Sequence, residues 1–238
     1  VAIGRLPVRN VSEAQDVINK IIVYQSPASL GSWRNELCYV ADDEDNNIHL
    51  NDAEKLANYV QANYPAYNID KIYLDAYTQV STPGGNRYPG VKDDINRKIF
   101  SGALMMNYIG HGGVNGWAHE RILDAADVAS WNNINKLQLF VTATCDFSKF
   151  DDPNFLSVGE QVLLSAKGGA IAMVTTVRLV FASANFTLNN AFHRNLFEPI
   201  GNRMPTIGEV ITKAKNSILS TSDDANLRKF VLLGDPVV

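Results

Sequence analysis

The sequence predicts an α/β fold: a mostly parallel central sheet flanked by helices on both faces, a three-layer sandwich. Strand and helix patterns alternate about six times along the 238 residues, the order of a doubly wound sheet. LMMNYIG, LQLFVTA and AIAMVTT are predominantly apolar runs of single-strand length, and strands buried on both faces are the habit of parallel sheets. The first two runs lead straight into polar, reactive residues, His111 in GHGG and Cys145 in TCD. Open parallel sheets bind ligands just there, beyond the carboxyl ends of their strands.

Taken in order, residues 1–6 (VAIGRL) read as a short buried strand closed by Pro7. Ser12 and Gln15 have capping-box spacing, and Ala14, Val17, Ile18, Ile21 and Ile22 fall on one helical stripe. After the loop SPASLGSW, residues 36–41 (ELCYVA) form a strand that runs into the acidic stretch Asp42-Asp43-Glu44-Asp45-Asn46-Asn47. A helix over 52–61 and a strand over 71–77 follow, then TQVSTPGGNRYPG as a turn-rich loop. The helix expected over 91–100 carries Ile95 and Ile99 and stops at Gly102. Beyond the histidine, GGVNGW reads as a flexible loop and 122–131 as a short helix. Beyond the cysteine, FSKFDDPNF is irregular and acidic, with no physical role evident, and a helix over 158–166 ends at Gly168-Gly169. AIAMVTT ends near Thr176, so its loop VRLVFASA is expected to overhang the same sheet edge as His111 and Cys145. A helix bearing Phe186, Ala191, Phe192 and Leu196, a second over 207–219 with the capping box Thr206/Glu209, and the strand in KFVLLGDP complete the chain.

Apolar residues make up 46% and charged residues 19% of the chain, an ordinary globular balance. No apolar run approaches the ~20 residues a helix needs to cross a bilayer. A net charge of -4, with 21 basic residues in no dense cluster, leaves no electrostatic footprint for nucleic acid. Two cysteines, Cys38 and Cys145, suit either a reducing or an oxidising compartment in a domain this large. The chain opens on VAIGRLP without an initiator Met and reads as a segment excised from a longer polypeptide, so the lack of a targeting sequence carries no weight.

The chemistry gathers at the sheet edge. A thiolate is a strong nucleophile, an imidazole can activate it, and the same imidazole can protonate a leaving amine. Singly, Cys145 reads as readily as a buried structural thiol and His111 as a capped loop residue. Their matched strand-terminal positions, with glycines beside the histidine, favour a catalytic pair. A tetrahedral oxyanion needs N–H donors about 3 Å away, worth roughly 3 kcal/mol each, and Gly112 and Cys145 are the donors this arrangement names. The run Asp42–Asp45 either orients His111 or holds a cation such as calcium, though it lacks EF-hand spacing. His119 is a loop neighbour of the site, His49 and His193 read as packing residues, and no zinc-ligand spacing is present.

NYIGHGG with Trp117 shortly after, LQLFVTATC about thirty residues on, and LLGDP at the end together resemble the gingipain-type cysteine peptidases, family C25 of the caspase-like clan. The resemblance runs from IGRLPVRN to GDPVV and implies a caspase-like fold, a cysteine endopeptidase and no cofactor needed for catalysis, with structural calcium allowed. It implies Cys145 and His111 as catalytic, Gly112 and Cys145 as oxyanion donors, and Asp43, with Glu44 one register away, as the orienting acid. Phe181, Asn47 and Trp117 are implied on the substrate side. The arginine-cleaving members carry an acid in the pocket where Asn47 falls here, which implies that arginine is not preferred. TATCDFSKFDDP most resembles the branch of the family that serves as the sortase of type IX secretion. That implies cargo C-terminal signal domains as protein substrates, other type IX secretion components as partners, attachment of cargo to lipopolysaccharide, and a place at the outer-membrane surface facing outward. The alternatives are a secreted protease of broader specificity and a catalytically silent secretion scaffold. By the same resemblance the chain is the second of two catalytic subdomains, with the tail of the first at most.

Overall fold

The computed structural model describes residues 1–219 and 224–238. α1 (Val11–Gln25) is followed by β1 (Glu36–Ala41), α2 (Ile48–Asn63) and β2 (Asn68–Tyr73). A hairpin, β3 (Val80–Thr82) and β4 (Gly85–Arg87), precedes α3 (Pro89–Ser101) and β5 (Met105–Ile109). A small ribbon, β6 (Gly112–Gly113) and β7 (Gly116–Trp117), leads to α4 (Ala125–Ser130), β8 (Gln138–Ala143), α5 (Val158–Leu164) and β9 (Ala170–Thr176). α6 (Ala182–Leu196), α7 (Ile207–Ile218), α8 (Asp224–Lys229) and β10 (Phe230–Gly234) complete the order.

Six strands form one sheet in the order β10-β9-β8-β5-β1-β2, all neighbours parallel except β10 against β9. The expected mostly parallel, three-layer sandwich is therefore the fold. From β1 the chain goes outward to β2 and then crosses back to β5 on the other side of β1. The order reverses between β1 and β5, and such a switch opens a crevice at the carboxyl ends of the two strands.

Alternation along the strands divides the core. Leu37, Tyr39 and Ala41 of β1 pack with Leu56 and Val60 of α2, Leu188 and Phe192 of α6 and Val210 of α7 on one face. Cys38 and Val40 face the other side, with Ile95 and Ile99 of α3, Val128 of α4 and Val162 of α5. Truncating a fully buried aromatic here, such as Phe140, costs about 3–5 kcal/mol by the usual transfer and cavity terms.

Several elements differ from expectation. Residues 1–6 are not a buried strand: Arg5 alone bridges to Leu233, and Val1, Ile3 and Leu6 are exposed, because β10 is already the sheet edge. α1 is capped by Asn10, whose side chain accepts the Glu13 N–H, while the Glu13 carboxylate returns to the Arg9 N–H at 2.8 Å. Asparagine followed three residues later by an acid outcompetes the Ser12/Gln15 pair. The helix then buries Val17 and Lys20 and leaves Ile18 and Ile22 exposed. α2 starts at Ile48, four residues ahead of the expected 52, and β2 ends at Tyr73 because a 3-10 turn, Leu74–Ala76, buries Leu74. The glycine-rich loops after β2 and β5 are both paired hairpins. The Thr206/Glu209 capping box is present as expected, and its helix ends at Ile218.

Candidate functional site

β5 and β8 are neighbouring parallel strands with Ile109 opposite Ala143. His111 and Cys145 each stand two residues beyond that pair, on strands spaced about 4.8 Å apart. Equal offsets from a paired position bring the imidazole and the thiol to the same edge.

The backbone of His111 is clamped from both sides. Its N–H donates to Asp42 Oδ2 at 2.7 Å, and its carbonyl accepts from the Tyr108 hydroxyl at 2.5 Å and the Ala118 N–H at 2.9 Å. The ring, 36% exposed at its side chain, has Nε2 2.9 Å from Asp45 Oδ2 and 3.5 Å from Glu44 Oε2. A carboxylate is acceptor only, so Nε2 carries the proton and Nδ1 is left bare in the neutral ring. Among the described residues Nδ1 makes no hydrogen bond.

Two further imidazoles frame the ring. His119 stacks on it at 5.3 Å between centroids and 17° between planes, and His49 meets it edge-on at 5.3 Å and 87°. His119 bonds Glu44 at 3.0 Å, which raises its pKa, whereas burial, followed by the nearby His111, lowers that of His49. His49 is therefore not a packing residue remote from the chemistry; it is part of the wall around His111. His193 is fully buried, its Nδ1 2.8 Å from the Asn189 carbonyl, and burial pushes its pKa down to about 4.

Cys145 is half-buried, with Sγ 3.5 Å from the Val180 N–H and 3.6 Å from the Val180 carbonyl. The loop after β9 thus overhangs the thiol. Cys38 is fully buried mid-strand, and burial pushes its thiol up to about 12. An open cleft of about 500 Å³ beside Cys145 is lined by Gly112, Gly113, His119, Arg121, Lys149 and Leu179, among others. His111 does not line it, since its ring is turned toward Asp45, His49 and His119.

The ribbon glycines are held tightly. A Cβ on Gly112 would lie 2.7 Å from Thr144 Oγ1 and 2.8 Å from the Gly116 carbonyl oxygen. Gly116 has φ +135°, and a Cβ there would lie 1.9 Å from the Leu123 carbonyl. Glycine at 112 is thus required by packing against the cysteine strand, which sets the Gly112 backbone beside Thr144 in the cleft that Cys145 also lines. The Cys145 N–H makes no hydrogen bond among the described residues.

Other sequence-derived positions fall elsewhere. Asp43 does not face the histidine: its Oδ2 accepts from the Tyr88 hydroxyl at 2.6 Å. The acids on the ring are Asp45 and Glu44, because Asp45, Asn46 and Asn47 all take left-handed backbone and curl the run back over it. Trp117 is fully buried, stacked on Tyr108 at 4.4 Å and packed on Phe140 and Phe147, so it forms the floor under the ribbon, at the bottom of the cleft that it lines with Cys145. Phe181 is 67% exposed, its N–H on Asn226 and its ring 5.6 Å from Lys229 Nζ, because it caps α6 and points toward α8. Leu179 and Val180 take the wall position instead. Asn47 is exposed at the start of α2.

The segment after Cys145 has a structural account. Phe147 is buried against Trp117, the Ser148 N–H donates to the Thr176 carbonyl at 3.0 Å, and the Ser148 hydroxyl lies 2.9 Å from Thr175 Oγ1. Asp151 receives Arg178 Nη1 at 2.9 Å. FSKFDD therefore pins the end of the cysteine strand to the end of β9.

A family model described as peptidase family C25 matches residues 1–238. Among solved structures, that of the Arg-specific cysteine proteinase gingipain R superposes with a TM-score of 0.82 at 18% identity, covering 100% of this chain and 55% of that one. The complex of Porphyromonas gingivalis RgpB pro- and mature domains gives 0.80 at 18% identity, covering 100% and 56%. The Saccharomyces cerevisiae separase–securin complex gives 0.60 at 13%, covering 98% and 14%. At these identities the likeness establishes the fold. The chain spans little more than half the length of the two gingipain R structures. No curated protein sequence matches it.

Proposed function

The chain belongs to peptidase family C25, and from that premise we propose that it is a catalytic subdomain of a surface-exposed cysteine endopeptidase that acts as a sortase on secreted cargo. The observation that carries the reading is the equal offset of His111 and Cys145 past the paired residues Ile109 and Ala143. Cys145 Sγ attacks the scissile carbonyl as its proton passes to Nδ1 of His111, the nitrogen left bare by the Asp45 contact. The Gly112 and Cys145 N–H groups receive the oxyanion. The imidazolium, held by Asp45 and Glu44, then protonates the leaving amine. Water, or an amine such as one on surface lipopolysaccharide, releases the thioester.

Arg121 and Lys149 line the cleft with Asp146. An arginine side chain entering it meets like charge, which supports a preference other than arginine. The sortase branch, PorU-like and acting with other type IX secretion components at the outer-membrane surface, is supported by the sequence TATCDFSKFDDP around the cysteine. The test is mass-spectrometric mapping of a cargo protein treated with the full-length enzyme and with its Cys145→Ala variant. A single cut before the C-terminal signal domain, absent from the variant, is expected. Cutting at many exposed sites would assign a broad secreted protease, and no cutting by either protein a silent scaffold.

A further inference from the structure

Strained backbone gathers at the edge where Cys145 and His111 meet. Six residues other than glycine take left-handed φ among the described residues. Asp45, Asn46 and Asn47 curl over the imidazole, and Ala118, Arg121 and Asp146 all line the cleft beside the thiol. Aspartate and asparagine enter that conformation readily, whereas a longer or simpler side chain does so at a cost, and such residues cluster at active sites and ligand clamps. Ala118 and Arg121 are therefore the telling pair.

The turn that carries Arg121 is fixed at both ends. The Trp117 N–H donates to the Leu123 carbonyl at 3.0 Å, the Ile122 N–H to the Trp117 carbonyl at 3.1 Å, and the Arg121 N–H to the Ala118 carbonyl at 3.2 Å. The Ala118 N–H is in turn bonded to the His111 carbonyl at 2.9 Å. Arg121 thus lines the cleft from a rigid turn tied to the histidine segment. Lys149 lines it from the segment after the cysteine, next to Ser148, whose N–H holds the Thr176 carbonyl at 3.0 Å.

Neither cation is neutralised. The Arg121 side chain makes no hydrogen bond or ion pair among the described residues. Lys149 Nζ comes only to 3.9 Å from Asp152 Oδ2, too far for a hydrogen bond. Asp146 is the one acidic residue lining the cleft, so two fixed cations face a single carboxylate. Apart from the thiol, the remaining titratable group there is His119, and its Nδ1 is taken up by Glu44 at 3.0 Å. A carboxylate entering such a cleft meets a guanidinium whose forked N–H groups match both of its oxygens.

We propose, resting on the peptidase reading above, that Arg121 and Lys149 make this cleft a subsite for an acidic side chain, so that the enzyme cuts beside a glutamate or aspartate of its protein substrate. Leu179 and the bare glycines of the ribbon offer the stem of that side chain an uncharged wall. Lys149 gives the segment FSKFDD a part in recognition besides its part in holding the cysteine strand.

The experiment measures turnover of internally quenched peptides in pairs that differ only by Glu for Gln, one pair at the residue before the cut and one at the residue after it. Wild type is expected to favour glutamate in one pair by about tenfold in kcat/KM, the scale of one charge-assisted hydrogen bond. The preference should shrink as salt rises. Arg121→Gln is expected to bring the ratio close to one, and Lys149→Gln gives the same comparison should the first variant fail to fold. The charge of the cleft is read separately, without turnover, from the rates at which iodoacetate and iodoacetamide alkylate Cys145 at one pH. The ratio of anionic to neutral reagent is expected to exceed that of a model thiol and to fall toward it in both variants. An iodoacetate preference of this kind without turnover of any peptide supports the subsite and overturns the peptidase reading alone. Turnover at equal rates on the Glu and Gln peptides overturns the acidic preference and leaves the peptidase in place. So does an iodoacetate preference that both variants leave unchanged, since the charge then belongs to the imidazoles.

Discussion

Replacing Gly112 by alanine tests whether the ribbon beside the thiol supplies an oxyanion donor. The added methyl meets Thr144 Oγ1 at 2.7 Å and the Gly116 carbonyl oxygen at 2.8 Å, short of an ordinary 3.4 Å contact by 0.7 and 0.6 Å. Neither neighbour can retreat freely. Thr144 is buried with its carbonyl bonded to Thr176, and Gly116 is wedged against Leu123. The Gly112 backbone must therefore move. Overpacking of this kind costs about 1–3 kcal/mol, or roughly 2–12 °C in Tm for a chain of this size. A misplaced oxyanion donor costs about 10²–10³ in kcat. Gly113→Ala is the control, because a Cβ there has no heavy atom within 4 Å. The assay is turnover of a fluorogenic peptide beside thermal unfolding. A folded Gly112→Ala that keeps kcat within about threefold of wild type, or a Gly113→Ala that loses as much, would refute the donor role of this ribbon.

Asp45→Asn replaces the acceptor-only carboxylate 2.9 Å from His111 Nε2 by a neutral amide that can present either its oxygen or its NH2, which loosens the hold on the tautomer, so kcat should fall about tenfold. Because the pair is half-exposed, Tm should hardly move; unchanged turnover would assign the orienting role elsewhere. Lys20, fully buried in α1, donates to the last-turn carbonyl of Leu163 in α5 at 2.7 Å, and burial lowers its pKa to about 7. The unfolded chain holds that proton up to about pH 10.5, so stability should rise as pH climbs from 7 toward 10. Lys20→Met should stabilise the protein at pH 7 by about 2–4 kcal/mol once the freed carbonyl is allowed for, with the gain shrinking by pH 10. Loss of stability on that change would show the cap outweighs the buried charge. His193, neutral and buried with a pKa of about 4, should destabilise the fold as pH falls from about 6.5 to 4, by up to about 3 kcal/mol. His193→Gln should flatten that limb in thermal scans, and an unaltered acid limb would point to the carboxyls instead.

Much of the architecture was legible because burial on both faces leaves a one-dimensional signature. β5, β8 and β9 are continuous apolar runs, and their order fixes a parallel sheet and the shared edge of His111 and Cys145. Where a segment has only one neighbour, the signature is absent. VAIGRL looks like a core strand, yet it lies beyond β10, where a single bridge is all that pairs it. The acidic run reads as a neighbour of the histidine, but its three consecutive left-handed residues, Asp45, Asn46 and Asn47, decide which carboxylate reaches the ring. An Asp-Asn-Asn stretch hints at such a turn without giving its direction. His49 lies in the first turn of α2, and the left-handed turn ahead of that helix folds Asp45 back to within 3.3 Å of its Nε2, a contact that sequence spacing alone does not show. Trp117 lines the cleft from beneath as a buried floor and Phe181 caps α6, and the sequence does not distinguish floor, cap and wall among large aromatics near a site.

The central claim is that Cys145 is an activated nucleophile served by His111, and alkylation tests it most directly. The native chain has two thiols, and Cys38, fully buried with its pKa pushed up to about 12, is an internal reference that should stay unmodified. Iodoacetamide labelling followed by peptide mass spectrometry should mark Cys145 alone of the two, faster than a model thiol, and markedly slower in His111→Ala. Labelling of Cys145 no faster than the model thiol, unchanged by His111→Ala, would contradict the account.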